Sequence, residues 1–203
     1  KNLKDDLLTA DLDKGRGGFP GQKNIPEYQL KLEKDSFAEG AYGRVYKGRW
    51  AGAPGGERRI AVKFPKMQAH VSGQEQVKLM QREIVPLQAA APCDHVVSLY
   101  GVSNGNGRFG IVMELCDCSL TEEINRCKTL EQPGLSPPIV ADFALQAARG
   151  IEFLHNLSNP IEHCDIKTDN FLIKRGAGGR ITVKVADFGI SHVVKSTSTH
   201  TGT

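Results

Sequence analysis

One stretch of eight residues, His163-Cys164-Asp165-Ile166-Lys167-Thr168-Asp169-Asn170, gathers a carboxylate, an ammonium and a carboxamide. Asp165, Lys167 and Asn170 have the spacing to hold a hydroxyl, a phosphate and a metal from a single loop, although a merely solvated polar loop has the same composition. Asp187-Phe188-Gly189 offers a second metal carboxylate with a pliable glycine behind it. Ala61-Val62-Lys63 ends an apolar run in a lysine. A lysine there is costly to bury unpaired, so it reaches solvent or meets an anion. Glu83 and a bound phosphate are the two anions available. Glu39-Gly40-Ala41-Tyr42-Gly43-Arg44-Val45 is a glycine-rich turn whose backbone could approach a phosphate chain closely, and most such turns are only turns.

These groups need elements to hold them. Tyr28, Leu30 and Leu32 alternate with polar residues, predicting a strand. Val45 to Trp50 predicts a second and Ile60, Val62 and Phe64 a third, joined by glycine-rich turns into an antiparallel meander. Ser72 and Glu75 form a capping box ahead of a helix whose face carries Val77, Met80, Ile84 and Leu87, and Pro86 should kink or shorten it. Val96–Val102 and Phe109–Glu114 are two more strands around the hairpin signal Asn104-Gly105-Asn106-Gly107. Ser119 and Glu122 make a second capping box. Ser136-Pro137 opens a longer helix with Ile139, Val140, Phe143, Ala147, Ile151 and Leu154 as its buried stripe. Two short strands, Phe171–Ile173 and Ile181–Val185, flank the turn Gly176-Ala177-Gly178-Gly179. The fold class is α+β: a five-stranded antiparallel sheet with one helix, followed by a mainly helical part.

The 203 residues suit one ordinary domain. A 39% hydrophobic and 24% charged composition excludes a disordered chain. Net charge is +3, too little to argue for nucleic acid, and no apolar run is long enough for a membrane helix. Five cysteines without framework spacing indicate free thiols in a reducing compartment, hence a cytoplasmic chain or portion of one. Cys116 and Cys118 lack zinc spacing, and His70, His95, His155, His192 and His200 show no ligand arrangement. Lys174, Arg175 and Arg180 are most simply a solvated face.

In this order and on these elements, the glycine-rich turn, Lys63, Glu83, the His163–Asn170 loop and Asp187-Phe188-Gly189 resemble the eukaryotic protein kinase catalytic domain, from about Tyr28 to Thr203. The resemblance implies a two-lobed fold: a linker over 1–26, an N-lobe over 27–114, and the hinge with a partial C-lobe over 115–203. It implies ATP and Mg2+, with a protein substrate and no nucleic acid. Lys63 would contact the nucleotide phosphates and pair with Glu83. Asn170 and Asp187 would hold the metal, Asp165 would accept the substrate proton, and Lys167 would steady the transferred phosphate. Ala38, Glu39, Gly40, Ala41, Tyr42, Gly43 and Val45 would cover the nucleotide. Val45 and Ala61 would lie on one side of adenine and Leu172 on the other. Met113 takes the gatekeeper position, and Glu114, Leu115 and Cys116 the base-binding hinge. Leu87, Leu99, His163 and Phe188 would form the regulatory spine.

Lys167 two residues past Asp165, and the Gly202-Thr203 segment, resemble the Ser/Thr-kinase form. Trp50, Leu99-Tyr100-Gly101 and Asp187 to Ser191 look like the tyrosine-kinase-like group. Three positions depart from the family pattern. Ala38 stands at the first loop glycine, Pro86 follows Glu83 by three, and Cys164 replaces the arginine that binds an activation-loop phosphate. Activation by phosphorylation of Ser196, Thr197, Ser198, Thr199 or Thr201 should therefore be weaker or absent. A Ser/Thr protein kinase, a non-catalytic nucleotide-binding or scaffold module, and an inactive fragment are the competing functions. The likeness stops within the activation segment, which predicts that the helix from Ile139 to Leu154 lacks cover and that the isolated chain is unstable or aggregation-prone.

Overall fold

The computed structural model describes residues 21–40, 43–66, 73–105, 108–129 and 134–194. Several expectations lie outside them: most of the linker, Ala41 and Tyr42, Ser72, Asn106-Gly107, and the Ser/Thr run with Gly202-Thr203. The side chains of Glu75 and Val77 are likewise outside. The chain divides into two compact units, one ending at Met80 and resuming over Ser98–Leu115, the other comprising Gln81–Val97 and Cys116 onward.

The first unit is a six-stranded antiparallel sheet. Its strands are β1 (Leu30–Leu32), β2 (Ala38–Gly40), β3 (Gly43–Trp50), β4 (Arg58–Pro65), β5 (Leu99–Gly105) and β6 (Arg108–Glu114), ordered β1-β3-β4-β6-β5 with β2 also on β3. Five strands are expected, and the sixth comes from a break in the first. Leu32 faces Gly48 and Ala38 faces Val45, so five residues, 33–37, stand opposite two, Tyr46 and Lys47. The excess bulges out while Glu33 and Phe37 still donate to Lys47 and Val45. The strand also starts later than its alternation predicts: residues 27–29 form a 3-10 turn and Tyr28 is 83% exposed. Order extends back before residue 27, because Ile25 donates to Val102 O and joins a core of Trp50, Ala53, Ile60, Val62 and Val112.

Helix α1 (Gly73–Ala89) runs through Pro86 rather than ending at it. Met80, Glu83, Ile84 and Leu87 are buried. From Gln81 onward the helix and the following loop belong to the second unit, where the expected boundary put them in the first. Hydrogen bonds give the reason. Val97 donates to Val185 O, Val185 to His95 O, and Lys184 Nζ to Val96 O. Val96 and Val97, expected in a strand with Leu99, serve this other sheet instead.

That sheet has the order β10-β9-β7, from β7 (Cys118–Ser119), β9 (Phe171–Arg175) and β10 (Ile181–Val185). Helix α2 (Leu120–Thr129) begins at the capping box read from sequence: Glu122 N donates to Ser119 Oγ (3.1 Å), and Ser119 N to Glu122 Oε2 (2.7 Å). Helix α3 (Pro137–His155) buries Phe143, Gln146, Gly150 and Leu154. Ile139 and Val140, expected inside, are exposed. The inward stripe follows what β10 needs. Gln146 Oε1 accepts from Val183 N (2.8 Å), satisfying an edge-strand donor. Gly150 lets the helix approach, since a Cβ there would lie 2.5 Å from His95 O. Strands β8 (Ile161–Glu162) and β11 (His192–Val193) pair separately. None of the described helices is long and apolar enough to cross a membrane.

Candidate active site

Within the first unit, Lys63 is buried on β4, with Val45 opposite it on β3 and Ile111 on β6. Ala61, also buried, is in register with Met113. Of the glycine-rich segment, Gly40 and Gly43 are described, and they face each other in the β2–β3 ladder. Ala38 faces Val45 in the same ladder. The two glycines differ. Gly40 has open space where a Cβ would go, whereas one at Gly43 would lie 2.6 Å from Phe64 O, so the sheet itself requires glycine there. Glu39 meets Arg44 (3.1 Å) and Lys66 (3.3 Å), and both cations hold its carboxyl below the usual range. At the end of β6, Glu114 N donates to Ser98 O, and Leu115 is buried.

The second unit holds a closed hydrogen-bond cluster. Asn170 Nδ2 donates to Asp165 O (2.8 Å) and to Asp165 Oδ2 (2.9 Å). Lys167 Nζ donates to the same Oδ2 at 2.6 Å. The Lys167 ammonium does most to hold the Asp165 carboxyl below its ordinary value, burial opposes this, and the Asn170 bond adds to it. Asp165 in turn raises Lys167, with Asp187 and Asp169 contributing through space. Spacing thus predicted a cluster that the fold does assemble. A 3-10 turn over Thr168–Asn170, closed by Asn170 N on Lys167 O, brings the carboxamide back to Asp165.

His163 anchors this loop to the Asp187 segment. Its Nδ1 accepts from Asp165 N (3.3 Å), so Nε2 carries the proton and donates to Ala186 O (2.9 Å). Ala186 N donates to Asn170 O. The His163 ring packs against Phe188 at a tilt of 55° with centroids 5.1 Å apart, and Phe188 is buried. Asp187 sits at φ 61, a left-handed conformation that residues with a side chain rarely adopt, and its Oδ1 accepts from Gly189 N (3.4 Å). Leu172 is half-buried on β9, and Glu83 is buried on α1.

The donor chemistry fits a small divalent cation. Both amide hydrogens of Asn170 are engaged by Asp165, so its carbonyl Oδ1 is the atom that could ligate, and Asp187 supplies carboxylate oxygen. Hard oxygens of this kind suit Mg2+.

Two sequence expectations change. Arg175 is exposed, as a solvated face requires, but it is also tied down: its Nη2 donates to Glu123 Oε2 (2.6 Å), and Nη1 lies 3.6 Å from Cys118 Sγ. Glu123 is 4% exposed and also takes Arg126, which with Arg175 lowers its carboxyl to about 2. His192, expected to have no ligand arrangement, lies beside Cys164 and Glu162.

Comparison with known proteins agrees with this architecture. Residues 33–203 match the protein kinase domain family. The chain is 33% identical over 182 residues to the dual specificity protein kinase shkE of Dictyostelium discoideum, covering 88% of this chain and 23% of that protein. It is 30% identical over 186 residues to a probable receptor-like protein kinase of Arabidopsis thaliana (87% and 20%). It is 29% identical over 175 residues to the serine/threonine-protein kinase CTR1 of the same plant (86% and 20%). The chain belongs to the protein kinase domain family. It spans about a fifth of the length of these relatives.

Proposed function

We propose that the chain carries the phosphoryl-transfer machinery of a Ser/Thr protein kinase, moving the γ-phosphate of Mg-ATP to protein hydroxyls. The observation that carries this reading is the Asp165–Lys167–Asn170 cluster. Lys167 and Asn170 both bond Oδ2 of Asp165, which leaves Oδ1 to orient a substrate hydroxyl and take its proton. Lys167 then offers its charge to the phosphoryl group in transfer. Asn170 and Asp187 would hold Mg2+, which supplies charge neutralisation for the phosphates. Lys63, assisted by Glu83, would hold the nucleotide phosphates. Ala38 to Val45, Ala61, Leu172, Met113 and the hinge Glu114–Cys116 would hold the rest of the nucleotide. The Lys167 spacing supports Ser/Thr rather than Tyr as acceptor, as does the likeness to a relative named as a serine/threonine-protein kinase.

The test is transfer from labelled ATP to a generic protein substrate, followed by phosphoamino-acid analysis. Label on Ser and Thr, abolished by Asp165→Asn, is expected. Label on Tyr alone would overturn the acceptor assignment. Thermal stabilisation by Mg-ATP without any transfer would favour the non-catalytic reading.

A further inference from the structure

Cys164, His192 and Glu162 form a relay outside the cluster described above. Strands β8 and β11 pair Glu162 directly with His192, 30 positions apart in sequence. The imidazole bridges the two others: Nε2 is 2.8 Å from Glu162 Oε2, and Nδ1 is 3.3 Å from Cys164 Sγ. With the carboxylate as acceptor, Nε2 carries the proton and the Nδ1 lone pair faces the thiol. The Glu162 carbonyl, at 3.6 Å, is a longer alternative for the S–H. All three side chains are exposed. Cys164 is held at φ 63, a conformation normally costly for a side-chain-bearing residue, which sets the direction in which its Cβ leaves the loop. Nucleophile, base and orienting carboxylate in series are the arrangement that activates a thiol. One ligand atom from each of the three also lies within 4.8 Å of the others, so a metal ion is the competing occupant.

We propose that Cys164 is a nucleophilic, modifiable thiol, with His192 as its base and Glu162 orienting the imidazole, and that it takes hydroperoxides. The Sγ proton passes to His192 Nδ1, and Glu162 stabilises the resulting imidazolium. The thiolate attacks one peroxide oxygen; an S–O bond forms and the O–O bond breaks. Sulfur is oxidised by two electrons, and the peroxide is reduced. The imidazolium returns its proton to the departing oxygen, leaving water or an alcohol and a sulfenic acid on Cys164. None of the three residues belongs to the set proposed for phosphoryl transfer, so the two readings stand or fall separately.

The test exposes the metal-free chain to hydrogen peroxide with dimedone present and follows labelling of each cysteine by peptide mass spectrometry. Cys164 should label about tenfold faster than Cys93, Cys116, Cys118 and Cys127. Exposure alone would favour Cys164, so the deciding variants leave exposure intact. His192→Ala should slow labelling about tenfold and Glu162→Gln about threefold. Should His192→Ala fail to fold, by circular dichroism, Glu162→Gln carries the test, since it changes only the charge of a surface group. Labelling at the unaltered rate in either folded variant overturns the proposal. So does one equivalent of zinc on the chain as isolated that is lost in Cys164→Ala, which would make the three residues a metal site.

Discussion

Ser191 Oγ lies 3.2 Å from the carbonyl oxygen of Arg82, the helix α1 carbonyl that Pro86 deprives of its partner four residues on. Proline has no N–H to donate, so a buried hydroxyl from the segment after Asp187-Phe188-Gly189 fills the gap. The same hydroxyl is 2.9 Å from Phe188 O, which keeps Ser191 N–H in any case. Losing the hydroxyl therefore falls on Arg82. Ser191→Ala should cost about 1 kcal/mol by chemical denaturation. In a Pro86→Ala background, where an N–H is restored, the cost should shrink. An equal cost in both backgrounds would break the link.

Lys167 is half-exposed and bonds Asp165, so as a structural contact it is worth little. Lys167→Met should leave stability essentially unchanged. Phosphoryl transfer should fall on the order of 100-fold, since a charge aimed at the transferring group is lost. Denaturation and initial-rate measurements on one preparation check both.

Glu123 makes stability depend on pH. Its carboxyl titrates near 2 in the folded chain, below the ordinary value of 4.5. A depressed carboxyl contributes stability that is fully present above its unfolded value and disappears as pH falls from about 4.5 toward 2. Arg126 and Arg175 are half-exposed, which moderates the contribution to roughly 2 kcal/mol. Glu123→Gln should lower stability at pH 7 and flatten its decline between pH 4.5 and 2, as urea midpoints across that range would register.

At Gly150 two effects oppose each other. Alanine improves helix propensity by about 1 kcal/mol. Its methyl group would press on the His95 backbone and Val185, which costs about 1–3 kcal/mol. Backbone yields less readily than a side chain, so Gly150→Ala should be destabilising, by about 1 kcal/mol net. A gain in thermal midpoint would show that α3 can shift away.

Local spacing made much of this legible. The Ser119–Glu122 box, the strands bearing Lys63, and the Asp165–Asn170 loop each depend on neighbours within a few residues. What escaped depends on distant partners. Gln146, absent from the apolar stripe, points inward because the Val183 N–H needs an acceptor. Arg175 looks like surface charge until Glu123, 52 residues away, comes beside it. His192 and Glu162 meet through strands of two residues each, too short for periodicity to register. Pro86 predicted a disturbed helix because the remedy, Ser191, lies 109 residues on.

The outer edge of β10 has a consequence for how this chain would self-associate. Ile181 O, both backbone groups of Val183 and both of Val185 are already bonded to Gln146, His95 and Val97. That flank offers a foreign strand almost no ladder to extend. Ile139, Val140 and Leu145 on α3 remain exposed, so contact between copies would be made by greasy side chains and not by backbone. Aggregates from this region should scatter light, redissolve on Leu145→Glu, and stay dark with dyes that report stacked β-structure.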